Sequence, residues 1–177
     1  MTMTHRRQFE PSSAVRRLLL ASPVGPLFIE YDDQVLRRIH YWPQGSHPPA
    51  GTRMEPTRDD PMGWKIAGQL REYFAGTRRD FDLPVAPEGT EFRLRVWQAL
   101  CEIPFGQTRT YGQVADAIEC RAARAIGQAN RNNPLPIVIP CHRVVATGGI
   151  GGYAGEGGEG KSLDTKRWLL RHEGVEV

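Results

Sequence analysis

Pro84 and Pro87, with Gly89 just beyond them, place a break near the middle of this 177-residue chain. No helix can run through two prolines so spaced, and a strand interior would lose two of its ladder donors there. The chain must therefore be assembled from the elements on either side. The break predicts a first domain over residues 1–86 and a second over residues 87–177, each long enough to bury a core of its own.

Apolar periodicity differs across that break. Residues 17–21, 26–31 and 34–41 predict a small meander of strands, with Pro23, Gly25 and Asp32-Asp33 at the turns. A polar stretch rich in proline and glycine, residues 43–60, reads as a loop. Asp60-Pro61 is a helix start, and Trp64, Ala67, Leu70, Tyr73 and Phe74 form an apolar stripe that stops at Gly76. Residues 81–86 return to strand-like character. The second half is mostly helical: residues 90–103 carry Phe92, Val96, Trp97 and Leu100 on one face and end before Pro104. Thr110-Tyr111-Gly112-Gln113 has the Thr-x-x-Gln form of a capping box and opens a short helix to Ile118. A second short helix over 122–130 suggests a helix-turn-helix that presents Arg124 and Arg131. Residues 134–139 are an extended apolar run, and a last helix spans 163–172 before Gly174. The fold class is α/β in the α+β sense, a small sheet domain followed by a helical one.

The formal net charge is only +3, and it is not evenly spread. Residues 103–155 hold five arginines, Arg109, Arg121, Arg124, Arg131 and Arg143, against Asp116 and Glu119, while the remainder balances. Such a segment is either an ordinary solvated surface or a phosphate-binding face, and charge alone leaves both open. No apolar run approaches the length of a membrane span, and the polar start lacks the apolar stretch of a signal peptide, so a cytoplasmic protein with no membrane partner is expected. Three cysteines, Cys101, Cys120 and Cys141, are too few and too irregularly spaced for a disulfide framework or a zinc site.

Gly155-Glu156-Gly157-Gly158-Glu159-Gly160-Lys161-Ser162 satisfies the phosphate-loop pattern letter for letter. That motif works only between a buried strand and a helix, where amides and the helix dipole converge on phosphate. Residues 148–154 are themselves glycine-rich and make a poor strand, and two glutamates in the loop would repel a polyphosphate. A flexible loop is the better reading than a nucleotide-binding enzyme.

Ile139-Pro140-Cys141-His142-Arg143-Val144 is the sharpest feature. Most cysteines are small buried fillers, and Cys101 and Cys120 fit that description. Cys141 differs because it follows an apolar run and adjoins a histidine and an arginine. A thiol near its reference pKa of about 8.5 is only slightly ionised at neutral pH, and a neighbouring base or cation raises the nucleophilic thiolate fraction. Spacing alone leaves a structural and a reactive Cys141 both standing.

Around that core the chain resembles the O6-alkylguanine (methylated) DNA–protein-cysteine methyltransferases. The resemblance is carried, in the family's order, by Ser22-Pro23-Val24-Gly25-Pro26-Leu27, Tyr73-Phe74-Ala75-Gly76, Val96-Trp97-Gln98-Ala99-Leu100 and Ile103-Pro104-Phe105-Gly106. Thr110-Tyr111-Gly112, Arg121-Ala122-Ala123-Arg124-Ala125-Ile126-Gly127, Asn133-Pro134, Pro-Cys-His-Arg-Val, Gly152-Tyr153, Lys166-Arg167-Trp168-Leu169-Leu170 and Glu173-Gly174 continue it, over about residues 18–175. It implies a ribonuclease-H-like sheet domain, then a helix-turn-helix domain that binds double-stranded DNA carrying alkylated guanine through the minor groove. It implies direct-reversal repair without a cofactor: one irreversible transfer of an alkyl group from O6-alkylguanine, and from O4-alkylthymine, to the protein. Cys141 matches the acceptor, His142 its general base acting through a water, and Glu173 the carboxylate that orients the imidazole. Asn133 matches the hinge asparagine, and Tyr111 the tyrosine that turns the phosphate and hydrogen-bonds the base. Arg124 matches the arginine finger that replaces the extruded base. Val144 matches the residue whose carbonyl reads the guanine amino group. Thr110, Arg131, Gly152, Tyr153 and Ala154 complete the implied DNA and substrate contacts, and self-association on DNA is left open.

The chain also departs from that pattern. The turn Ile118-Glu119-Cys120-Arg121 lacks the usual Gly-x-Pro, and residues 155–162 replace a short Gly-Gly link. His5, His40 and His47 have no cysteine companions, so the structural zinc of some relatives is not expected. The alternative, a catalytically inactive DNA binder that senses alkyl damage, belongs to proteins lacking the acceptor cysteine, whereas Cys141 is present.

Overall fold

In a computed structural model the described residues are 14–120, 122–151 and 161–177. The chain forms two compact units, Met1–Pro87 and Glu88–Val177. In the first, β1 (Arg16–Leu20), β2 (Leu27–Tyr31) and β3 (Leu36–Tyr41) make an antiparallel meander in sequential order. Leu18, Ile29 and Ile39 lie in register across it, all essentially buried. β3 starts at Leu36 because Asp32 draws in the residues before it, its Oδ1 accepting from the amides of Gln34 and Val35 at 2.8 and 2.9 Å. Both edges of the meander are covered by single bridges. Arg53, from the long loop, pairs beside Leu18, and Val85 pairs beside Leu36. The strand-like stretch 81–86 is thus no strand. Leu36 N–H bonds the Pro84 carbonyl and Ala86 N–H bonds the Leu36 carbonyl, while the flanking prolines have no donor with which to extend the ladder.

Helix α1 (Pro61–Phe74) begins where Asp60-Pro61 places it. The buried Asp60 carboxylate accepts from the Gly63 amide at 2.9 Å, the Tyr31 hydroxyl at 2.8 Å and Arg16 at 2.9 Å, fastening the helix start to β1 and β2. The buried face is Met62, Ile66, Ala67, Leu70 and Tyr73, so the expected stripe holds at Ala67, Leu70 and Tyr73 and fails at Trp64 and Phe74. Trp64 is 44% exposed, its indole N–H spent on the Thr57 carbonyl at 3.0 Å.

The second unit contains α2 (Glu91–Cys101), β4 (Arg109–Thr110), α3 (Tyr111–Ala117), α4 (Ala123–Arg131), a 3-10 turn (Cys141–Arg143), β5 (Val144–Val145) and α5 (Lys161–His172). The capping box at Thr110 and Gln113 is complete in both directions. α3 and α4 pack together against α2, whose Trp97 donates its indole N–H to the Ala129 carbonyl at 3.0 Å. α4 buries Ile126, Ala129 and Asn130 and leaves Arg124, Gln128 and Arg131 exposed, the two-faced pattern of a helix presented to a partner. No described helix is long and apolar enough to cross a membrane.

Three helices end in the same way. After α1, α3 and α5 the chain makes paired i→i−5 and i→i−3 amide bonds: Thr77 to Glu72 with Gly76 to Tyr73, Cys120 to Ala115 with Glu119 to Asp116, and Val175 to Leu170 with Gly174 to Arg171. The pivot is left-handed in each, at φ 75° for Gly76, 82° for Gly174 and 54° for Glu119. The α3 end thus makes the same closure as α1 and α5 without a glycine, and Glu119 bears the strain. Glu119→Gly should raise stability by about 1 kcal/mol, and Gly76→Ala should lower it by about as much. Urea titration checks both; an unmoved midpoint for Glu119→Gly would place no strain at that turn.

Candidate active site

The run 134–139 is not extended. It closes into a tight buried turn in which Ile139 N–H bonds the Leu135 carbonyl at 2.8 Å, Pro136 bridges Ile139, and Ile137 takes φ 76°. A β-branched residue in that region is strained and persists only where its surroundings over-determine it. Burial of Leu135, Ile137, Val138 and Ile139 supplies part of that determination, and Asn133 supplies the rest. Its Oδ1 accepts from the Leu135 amide at 3.0 Å, and its Nδ2 donates to the Ile139 carbonyl at 2.8 Å and to Cys141 Sγ at 3.1 Å. One side chain thus ties the end of the helix-turn-helix to the sulfur. Cys141 opens the 3-10 turn and is only 3% exposed.

His142 and Arg143 follow on the same turn and meet Glu173 just past the end of α5. Glu173 Oε1 lies 2.7 Å from His142 Nε2 and 3.1 Å from an Arg143 nitrogen, and Oε2 accepts from Arg143 Nε at 2.8 Å. Gly106 N–H approaches Oε2 at 3.4 Å, with Gly106 at φ 76° and so near that a Cβ would lie 3.0 Å from the Glu173 carbonyl oxygen. Arg143 is held from its other end by the Ile103 carbonyl at 2.6 Å. Burial pushes the Glu173 carboxyl upward, but His142 and Arg143 outweigh it and bring it down to about 2. Burial is also the largest effect on His142 and lowers it, Arg143 and Lys166 add to that, and Glu173 opposes it. A neutral imidazole facing an ionised carboxylate must carry its proton on Nε2. The lone pair is then on Nδ1, an atom that is buried without a hydrogen-bond partner. The network sets the tautomer and leaves the imidazole lone pair on the buried Nδ1.

Tyr111 is the first residue of α3, brought alongside by the short parallel pairing of β4 with β5, in which Arg109 faces Val144 and Thr110 faces Val145. Burial raises its hydroxyl pKa, the Cys141 charge adds to this, and a hydrogen bond from the Asn130 side chain opposes it. Thr110 is the cap of α3, its hydroxyl oxygen accepting from the Gln113 amide at 3.1 Å. Arg124 and Arg131 lie exposed on α4, apart from the cysteine network. Gly152, Tyr153, Ala154 and most of the phosphate-loop lookalike lie outside the described residues. Cys101 is not a competing nucleophile, since burial pushes its thiol up to about 11.

Two residues at the site carry no role in the sequence reading, Asn130 and Lys166, and Arg143, expected as a cation beside Cys141, is spent on Glu173 and the Ile103 carbonyl. Lys166 is fully buried, and its Nζ donates to the Val144 carbonyl at 2.6 Å. Its signal is readable afterwards. On α5 it sits at the helical spacing of Leu169, Leu170 and Glu173, a lysine on the apolar phase.

Models of the 6-O-methylguanine DNA methyltransferase ribonuclease-like domain and DNA binding domain match residues 15–87 and 91–175. The methylated-DNA–protein-cysteine methyltransferase of Methanosarcina acetivorans is 39% identical over 166 residues, covering 88% of this chain and 96% of its own. That of Mycobacterium tuberculosis is 42% identical over 155 residues, covering 86% and 88%. The Mycobacterium tuberculosis OGT solved in complex with DNA superimposes with a TM-score of 0.75 at 36% identity, over 90% of this chain and 93% of that one. With both halves matched in order and across nearly its whole length, the chain belongs to the 6-O-methylguanine DNA methyltransferase family.

Proposed function

We propose that this protein repairs DNA by moving the alkyl group of O6-alkylguanine, and of O4-alkylthymine, onto Cys141 in a single irreversible event. The observation that carries the reading is the buried Cys141 on a turn shared with a histidine whose tautomer Glu173 dictates. His142 Nδ1 takes the thiol proton through one bridging water. The thiolate attacks the alkyl carbon in line with the C–O6 bond, the bonding pair leaves with the guanine, and the base takes up a proton in its ring. A thioether has no hydrolytic exit, unlike an acyl-enzyme, so each molecule acts once.

The sulfur of a cysteine only 3% exposed is out of reach of a stacked base. Flipping the base out of the duplex is therefore part of the reading. Exposed Arg124 fills the gap in the stack, Tyr111 turns the phosphate, and Arg131 and the Thr110 hydroxyl contact the backbone, with α4 in the minor groove. The Val144 carbonyl receives the guanine amino group, and the segment Gly152-Tyr153-Ala154 borders the alkyl pocket.

Incubation with a duplex containing O6-methylguanine should add about 14 mass units to the intact protein, confined to Cys141, once per molecule. Cys141→Ser should bind the duplex and gain nothing; modification of Cys101 or Cys120, or repeated turnover, overturns the reading. Arg124→Ala should slow repair of duplex DNA roughly 100-fold while leaving reaction with free O6-benzylguanine nearly unchanged, because a free base needs no extrusion. Arg131→Ala should instead reduce the salt dependence of DNA binding by about one phosphate contact. Equal losses on duplex and free base for Arg124→Ala would reject the finger role.

A further inference from the structure

Asn130 is a buried amide on α4, 4% exposed, and the transfer chemistry above makes no use of it. Its place in the helix is fixed on both sides. The Ala129 carbonyl before it accepts from the Trp97 indole at 3.0 Å, and its own carbonyl accepts from the Asn133 amide at 3.1 Å. The Tyr111 ring is held as closely. A Cβ on Gly127, one turn earlier on α4, would lie 4.0 Å from Tyr111 Cε1. One on Gly151, at φ 69°, would lie 3.3 Å from Cε2 and 2.9 Å from the Ala146 nitrogen, a closeness that only a glycine permits. With both ring edges gripped, the freedom left to Tyr111 is rotation of its hydroxyl proton.

One bond acts on that freedom. The Asn130 side chain hydrogen-bonds the Tyr111 hydroxyl, and Asn130 Oδ1 is buried without a partner, so the bond runs from Nδ2 to the phenolic oxygen. The reverse orientation of the amide would leave two buried N–H donors unpaired in place of one acceptor. Burial and the Cys141 charge raise the Tyr111 pKa and Asn130 lowers it, as a donor at the phenolic oxygen does. We propose that Asn130 is a positioning residue for the transfer: its Nδ2 holds the Tyr111 oxygen, so that the hydroxyl proton turns away from α4 and is offered to an acceptor on the flipped base. This rests on the reading of Tyr111 as a contact to that base. A hydroxyl that accepts from Nδ2 cannot donate to it, because the amide nitrogen is a donor only. The proton is therefore aimed before the base arrives. As the bonding pair leaves with the guanine, negative charge gathers on the ring, and a donor already pointing there stabilises it without reorganising.

The test follows methyl transfer from an O6-methylguanine duplex as a function of protein concentration, in the wild type, Asn130→Leu, Tyr111→Phe and the double variant. Asn130→Leu should slow transfer at saturating protein about tenfold while the half-saturating concentration moves less than about twofold. A loss confined to half-saturation would mean that the substitution only loosens α4 on DNA, and overturns the proposal. In the Tyr111→Phe background, where no hydroxyl remains to be aimed, Asn130→Leu should change the saturated rate less than about twofold. A further tenfold loss there also overturns it, since packing alone would then explain the effect. A second measurement needs neither DNA nor a change at Asn130. The side-chain amide protons of Asn130, followed by NMR, should exchange with solvent about fivefold faster in Tyr111→Phe than in the wild type. Equal exchange in the two proteins overturns the bond on which the proposal stands. Wild-type protein that takes up no methyl group would reject the repair reading, while the amide exchange would still report on the pairing of Asn130 with Tyr111.

Discussion

The Glu173 carboxylate is the group on which the second unit's chemistry hangs. A carboxylate buried to this degree is tolerated because four donors converge on its two oxygens, one from His142, two from Arg143 and one from Gly106. Such a pair contributes little net stability over an apolar substitute, since desolvation consumes most of the Coulomb gain, but each donor is directional. Ionised Glu173 makes Nε2 the protonated nitrogen of His142, and that choice leaves the lone pair on Nδ1. Arg143, gripped between Glu173 and the Ile103 carbonyl, fixes the turn on which Cys141 sits. The histidine tautomer and one anchor of the cysteine turn follow from a single ion pair.

The turn that presents Cys141 also holds strain. Ile137 at positive φ is kept in place by its buried apolar neighbours and by Asn133, whose amide reaches both the Ile139 carbonyl and the sulfur. Asn133 follows the end of α4 and contacts the Cys141 sulfur directly, so it joins the cysteine turn to that helix. Tyr111, Lys166 and the Val144 carbonyl meet one another within the same unit. The cysteine is thus enclosed by groups that respond to its charge, and the exposed arginines of α4 stand outside that enclosure.

Much of the scaffold was legible in the chain because short-range chemistry dictated it. Asp60-Pro61 starts α1, the Thr110–Gln113 capping box starts α3, Gly76 and Gly174 end helices, and alternating strands give the meander. Where the reading failed, a competing contact prevailed. Residues 81–86 form one bridge because two prolines withhold the donors of a strand, and Trp64 lies outside because its indole found the Thr57 carbonyl and Ile66 took the inward phase. An apolar run such as 134–139 reads equally as a strand or a buried coil, since its hydrophobicity reports burial and says nothing of φ.

By itself the sequence determined two units, a two-faced α4 carrying Arg124 and Arg131, and a cysteine beside a histidine and an arginine; these rest on neighbours within a few residues. Asn133 and Tyr111 could be matched to roles by resemblance, but no spacing tells that Asn133 Nδ2 reaches Cys141 Sγ. The meeting of Glu173 with His142, 31 residues apart, was legible only through that resemblance; the tertiary structure alone decided which nitrogen carries the proton and that a lysine on α5 is buried against the Val144 carbonyl. The physical reason is that the charge state of a buried group depends on desolvation and on partners brought together through space, and neither quantity is a property of the local chain.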